Sequence, residues 1–433
     1  MWKSPAVQRV DFFAANYTSP CSEEFIYIIN SAGNFYLQNR FNILFFGAVM
    51  LQYSHDMFSA SQNEYIPESK KKMRQNGETL DLLKKMEDLG IPSMDCVVYS
   101  KGKCVFRYQS GFSDTGHTRK VDGSERYNIY SCSKVITCCA ALQLLEKDVI
   151  RLEDPLYEFL PEFKDMTKKG KDGVEKVNTP ITLRHLFTMT AGLTYNVFSE
   201  NLQQGKKESS GRLSTRDAMK YLARDPLAFE PGERWSYSLC HDVLAAVVEV
   251  VSGKRFGSYV KENIFDRAGM KNSTFLLPEA ELPQIAAQYR YNPEEKRYIP
   301  CGPEIQSFKL GSEYESGGAG CVSCVDDYIA FLEALRAGET LLARKTVDRM
   351  TVPQIARRLE KDLMMQEYSY GLGVRCPRPG TEVLDYGWDG AAGAYLAVIP
   401  EKEVTLYYAQ HVLASPVQQM RRLLPETVLK DLL

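Results

Sequence analysis

Apolar positions along the chain change period twice. Leu80, Leu82, Leu83, Met86 and Leu89 recur at helical spacing, and Gly90-Ile91-Pro92 ends the helix they predict. Short apolar runs at 96–99 and 104–108 flank Lys101-Gly102, a turn pair, and predict a β-hairpin. From Ser131 to about Gly269 the period is mostly helical, with helices expected at 131–147, 183–189, 215–222 and 242–251. The end returns to strands at 370–375, 382–386, 393–399 and 403–409. A helix at 326–335 precedes them and another at 416–432 closes the chain. Strands at both ends around a helical middle predict an α+β fold. Neither strand set can bury its apolar face alone, so the segments at about 94–110 and 368–410 must share one antiparallel sheet flanked by helices. A mainly helical lobe at about 131–290 then packs on it, with the site in the crevice between them.

The first 72 residues fit neither period. Fourteen of the first 66 are aromatic, against 11% of the whole chain, and a basic run, Lys70-Lys71-Lys72, closes the stretch. Residues 1–72 are therefore read as an aromatic-rich extension and 73–433 as the catalytic domain. At 433 residues with 44% hydrophobic and 25% charged positions, the chain can bury a large core without disulfides or metal. The net charge of −2 gives no bulk attraction for nucleic acid or an anionic membrane. No apolar run is long enough to span a bilayer, and the start lacks the basic-then-apolar pattern of a signal peptide. The eleven cysteines have no disulfide rhythm and read as reduced thiols, which points to the cytoplasm. Cys321 and Cys324 form a lone CxxC without the second pair a zinc site needs. No phosphate loop, dinucleotide fingerprint or paired metal spacing calls for a cofactor or a metal.

The chemical signal is Ser131-Cys132-Ser133-Lys134. Residues three apart on a helix share a face, so the hydroxyl and the amine lie side by side. Ser-x-x-Lys also starts at Ser69, Ser100 and Ser258, but only the copy at Ser131 opens an almost wholly apolar helix. Burial there disfavours a charged ammonium, and a partly neutral amine beside a hydroxyl can take its proton. A serine at a helix start also offers its own unpaired N–H to a developing oxyanion.

Downstream of Ser131 a series of short segments carries a resemblance. Leu152-Glu153-Asp154-Pro155-Leu156, Ile181-Thr182-Leu183-Arg184-His185-Leu186, Thr190-Ala191-Gly192-Leu193, Trp235-Ser236-Tyr237-Ser238 after Pro231-Gly232, Gly317-Gly318-Ala319-Gly320, Tyr370-Gly371-Leu372-Gly373 and Trp388-Asp389-Gly390 come in an order and spacing that resemble the serine β-lactamase and penicillin-binding-protein superfamily. Within it the chain looks most like class C β-lactamase relatives, the family VIII carboxylesterases. The resemblance implies a β-lactamase/transpeptidase-like fold and an acyl-enzyme on Ser131. It implies Lys134 and Tyr237 as the proton-transfer pair. It also implies that Trp388, Asp389 and Gly390 line the substrate site, with the N–H groups of Ser131 and Ala391 as oxyanion donors.

Two departures concern the substrate. Where β-lactamases and peptidases carry an asparagine two residues after the tyrosine, this chain has Leu239, which offers no amide to a substrate amide. Where they begin the third motif with a cation that binds a substrate carboxylate, it has Trp388, and Asp389 would repel an anion. Both point to carboxylic esters as the small-molecule substrate. A β-lactamase or D-amino-acid peptidase with the same machinery is the alternative. A non-catalytic binding module that retains the fold is the alternative of another class. His241, four residues after Tyr237, is a further candidate near the site.

Overall fold

A computed structural model of the full chain describes residues 26–29, 35–38, 73–74, 76–302 and 308–432. The chain divides into two compact units, Met1–Tyr65 and Ile66–Leu433. In the first, Ile26–Ile29 and Phe35–Gln38 pair antiparallel, a hairpin that the apolar pattern does not announce. The rest of the extension lies outside the described residues.

The second unit is built on a seven-stranded sheet, and both ends of its chain enter it. Its order is Tyr368–Tyr370, Arg375–Pro377, Tyr386–Asp389, Tyr395–Ile399, Val404–Ala409, Ser93–Ser100, Lys103–Gly111, antiparallel throughout. The expected junction of N- and C-terminal strands is the pairing of Val404 with Ser100 through Ala409 with Asp95. The turn between Ser93–Ser100 and Lys103–Gly111 is made by Lys101 and Gly102, both at positive φ, the twist that a tight hairpin requires.

Period-2 alternation divides the sheet between two cores. Val97, Leu396, Val398, Tyr407 and Ala409 face the large core shared with the helical lobe. Cys96, Val98, Ala397, Ile399, Leu406 and Tyr408 face a second core with Leu82, Leu83 and Met86 from the Glu78–Asp88 helix and Leu424 and Val428 from the Leu424–Leu432 helix. Burial on both faces explains why these strands read as near-continuous apolar runs. It also fixes the register, because a one-residue slip would exchange the two sets of side chains.

Four expectations need correction. Leu89 is 51% exposed, because the helix ends at Asp88 and the residue falls past its last turn. The strand expected at 370–375 is two short strands around a turn in which Gly371 N–H donates to Val374 O. The strand expected at 382–386 starts only at Tyr386 and runs to Asp389. The closing helix is two, Gln418–Arg421 and Leu424–Leu432, because Pro425 has no N–H for a continuous ladder and sits instead in the first turn of the second. Among the described residues no helix is long and apolar enough to cross a membrane.

Candidate active site

Ser131 lies in a 3₁₀ turn, Tyr130–Cys132, that runs into the Ser133–Glu146 α-helix. The apolar period placed it in the α-helix proper. The tighter turn keeps residues three apart stacked on one side, so the pairing with Lys134 survives. Tyr130, just before it, sits at φ +47, an uncommon conformation for a non-glycine residue and one that re-aims the chain at Ser131. Every residue from Ser133 to Leu144 is buried, as an all-round apolar helix requires.

Three polar side chains on this helix grip one loop. Ser133 Oγ accepts from Cys321 N–H at 3.0 Å, Lys134 Nζ donates to Gly318 O at 2.6 Å, and Thr137 Oγ1 donates to Gly317 O at 2.7 Å. The glycines are needed for close approach. A Cβ on Gly317 would lie 2.4 Å from the His241 carbonyl, and one on Gly318 2.3 Å from Asp242 Oδ2. The loop is thereby wedged between the Ser133–Glu146 helix and the Cys240–Ser252 helix.

Around Ser131 Oγ the structure gathers Lys134 Nζ, at 3.3 Å, and the Tyr237 hydroxyl, which donates a hydrogen bond to it. Lys134 is fully buried, and its Nζ lies 4.5 Å from the centroid of the Tyr237 ring and 5.2 Å from that of Tyr195. Tyr237 is part of an aromatic stack. Tyr195 stacks with it at 5.2 Å, nearly parallel, and Trp388 at 5.9 Å. Tyr370 meets Trp388 edge-on at 5.3 Å, and Trp388 is 3% exposed. Two aromatic partners and Lys134 hold the tyrosine ring, which restricts where its hydroxyl points.

On the far side of Ser131 the Tyr386–Asp389 strand ends at Gly390. A Cβ there would stand 2.3 Å from the Ile129 carbonyl, two residues before Ser131, so only glycine lets the two segments meet. Neither Ser131 N–H nor Ala391 N–H has an acceptor among the described residues. Gly390→Ala would push the strand end away from the Ile129 carbonyl and carry Ala391 N–H with it. Steady-state kinetics should show a fall in kcat of about ten- to a hundredfold, short of the loss of a whole oxyanion donor, which is the role that the resemblance implies for this N–H. Asp389 is a less simple anion than its sequence suggested, because its carboxylate lies 3.9 Å from the Arg422 guanidinium.

His241 does not join this group. It is fully buried, and its Nε2 lies 3.5 Å from Cys138 Sγ and 3.4 Å from Phe187 O. Burial, then the Lys134 cation, lowers its pKa to about 3, and burial lowers that of His411 to about 4. Unfolded imidazoles take a proton near pH 6.5, so as pH falls below that value the unfolded chain binds protons that the folded one refuses. The stability that these two histidines contribute is therefore complete above about pH 6.5 and is lost toward pH 4 and below. Urea midpoints should fall over that window, and less steeply in His411→Gln.

The sequence did not single out Tyr195, the Gly318 carbonyl or Asp242. Tyr195 is one of 25 tyrosines and has no local signature. Asp242 had one available signal, a carboxylate in the first turn of an apolar helix five residues after Tyr237.

Comparison with known proteins gives the family and the fold. Residues 81–424 match the family described as Beta-lactamase. Esterase EstB of Burkholderia gladioli is 28% identical over 278 residues, covering 58% of this chain and 67% of that protein. Acyltransferase CalJ of Penicillium decumbens is 30% identical over 236 residues, covering 52% of this chain and 56% of that protein, so the match spans little more than half of its length. Simvastatin synthase (LovD) from Aspergillus terreus superimposes with a TM-score of 0.69 at 21% identity, over 82% of this chain and 98% of that one, which supports the fold. The chain has the β-lactamase/transpeptidase-like fold and belongs to the Beta-lactamase family, as a serine hydrolase.

Proposed function

We propose that the protein hydrolyses small carboxylic esters through an acyl-enzyme on Ser131. The observation that carries this reading is the meeting of Lys134 Nζ and Tyr237 OH at Ser131 Oγ. With a carbonyl in place, the Lys134–Tyr237 pair takes the Ser131 proton and Oγ bonds to the carbonyl carbon. The carbonyl electrons move onto oxygen, where the N–H groups of Ser131 and Ala391 stabilise them. Collapse breaks the bond to the alkoxy group, and Tyr237 gives that group a proton, so an alcohol leaves. Water repeats the sequence on the acyl-enzyme and releases the acid and free Ser131.

Leu239 and Trp388 support esters over β-lactams and peptides. Leu239 is 2% exposed and apolar, and Trp388 presents no cation. p-Nitrophenyl butyrate should be turned over at least about a hundredfold more efficiently, in kcat/KM, than nitrocefin, the scale expected when a polar substrate group finds no partner. The reverse order would favour a β-lactamase or D-amino-acid peptidase. The names of the two sequence relatives, an esterase and an acyltransferase, support acyl chemistry and raise a second reading in which an alcohol replaces water at deacylation. Added alcohol that diverts the product from acid to ester would favour that reading.

We place the enzyme in the cytoplasm, where thiols such as those of the buried Cys132, Cys138 and Cys139 would stay reduced. Residues 73–433 are proposed to carry the chemistry.

A further inference from the structure

Asp242 is 1% exposed in the first turn of the Cys240–Ser252 helix. Its Oδ1 accepts from Tyr314 OH at 2.9 Å and from Ser316 Oγ at 2.6 Å. Its Oδ2 is buried with no hydrogen-bond partner among the described residues. That oxygen and Lys134 Nζ approach Gly318 from the same side. Both lie within 3.4 Å of the point where a Cβ on Gly318 would stand. The Gly318 carbonyl is meanwhile the closest acceptor of Lys134. One carboxylate thus ties down the loop that holds the lysine and leaves its open oxygen beside Gly318, where Nζ also approaches.

We propose that Asp242 is the positioning residue for Lys134. Through Tyr314 and Ser316 it fixes the Gly318 carbonyl that aims Nζ at Ser131, and its negative charge offsets the buried ammonium. This rests on the reading that Lys134 moves the Ser131 proton.

The other titratable groups around Nζ carry no competing charge near neutral pH. Cys132 in the 3₁₀ turn, Cys138 on the same helix and Cys240 on the facing helix all have thiols pushed up by burial, Cys240 to about 11. Burial also raises the Tyr195 and Tyr314 phenols well above their usual range and keeps His241 neutral. Tyr237 and Ser131 face the amine as the hydroxyls of the reaction itself. Asp242 is left as the counter-charge, and a carboxylate at this range favours the charged form of an amine.

The test is Asp242→Asn, which retains an acceptor for Tyr314 and Ser316 but removes the charge. With the counter-charge gone the amine loses its proton at lower pH. The acid limb of the kcat/KM profile should therefore move down by about one unit. Plateau kcat should fall about three- to tenfold as the base weakens, with KM within about twofold of wild type. A merely structural role would lower the melting temperature and leave the limb in place. An unmoved limb in a folded variant overturns the proposal. Should Asp242→Asn not fold, the double variant Tyr314→Phe/Ser316→Ala frees the loop and leaves the charge. The proposal then requires a lower kcat at unchanged KM, and wild-type kcat overturns it. Ser131→Ala keeps the two readings apart. If that variant stays active, the hydrolase mechanism itself fails. A silent Asp242→Asn in an enzyme that needs Ser131 and Lys134 fails this inference alone.

Discussion

Replacing Lys134 by methionine is expected to lower kcat/KM on p-nitrophenyl butyrate by about three orders of magnitude and to leave the protein folded. Lys134 touches Ser131 and Gly318 through Nζ alone, while its stem fills space in the core. Methionine is unbranched and of similar volume, so the packing should hold. The costs are one orphaned acceptor, the Gly318 carbonyl, at about 1–3 kcal/mol, and a buried Asp242 carboxylate left without its counter-charge. A melting temperature close to wild type together with lost turnover would separate proton transfer from folding. Near-full turnover in the variant would sink the proton-transfer scheme.

Tyr237→Phe should lower kcat by about a hundred- to a thousandfold and barely move KM. The substitution deletes only the hydroxyl that reaches Ser131 Oγ. The ring stays stacked with Tyr195 and Trp388, so substrate meets the same aromatic wall. A large rise in KM at constant kcat would instead make Tyr237 a binding residue. Fluorophosphonate labelling of the variant should slow in parallel, because acylation needs the same proton movement.

How much of this was legible in the sequence depended on how local the signal was. The union of terminal strands came from a simple need, since neither set of strands can bury its apolar face alone, and Val404 does pair with Ser100. The pair Ser131 and Lys134 was legible because three-residue spacing fixes proximity in either kind of helix. Tyr237 and Trp388 are 106 and 257 residues from Ser131 in the chain and were found by resemblance, since no period connects them to it. Element edges were read less well. Leu89 has the spacing of a core residue, but the helix stops one residue earlier, and the turn at Gly371–Val374 hides inside an apolar run. The supporting parts were least legible. Tyr195, the Gly318 carbonyl and Asp242 act through contacts between distant segments, and a backbone carbonyl has no sequence signature at all.

Intact-mass analysis after fluorophosphonate treatment, wild type beside Ser131→Ala, tests the central claim most directly. The account predicts one adduct per wild-type chain, mapped to Ser131, with adduct and ester turnover both absent from the variant. An adduct of equal yield on Ser131→Ala, or a well-folded wild type with neither adduct nor turnover, would contradict it.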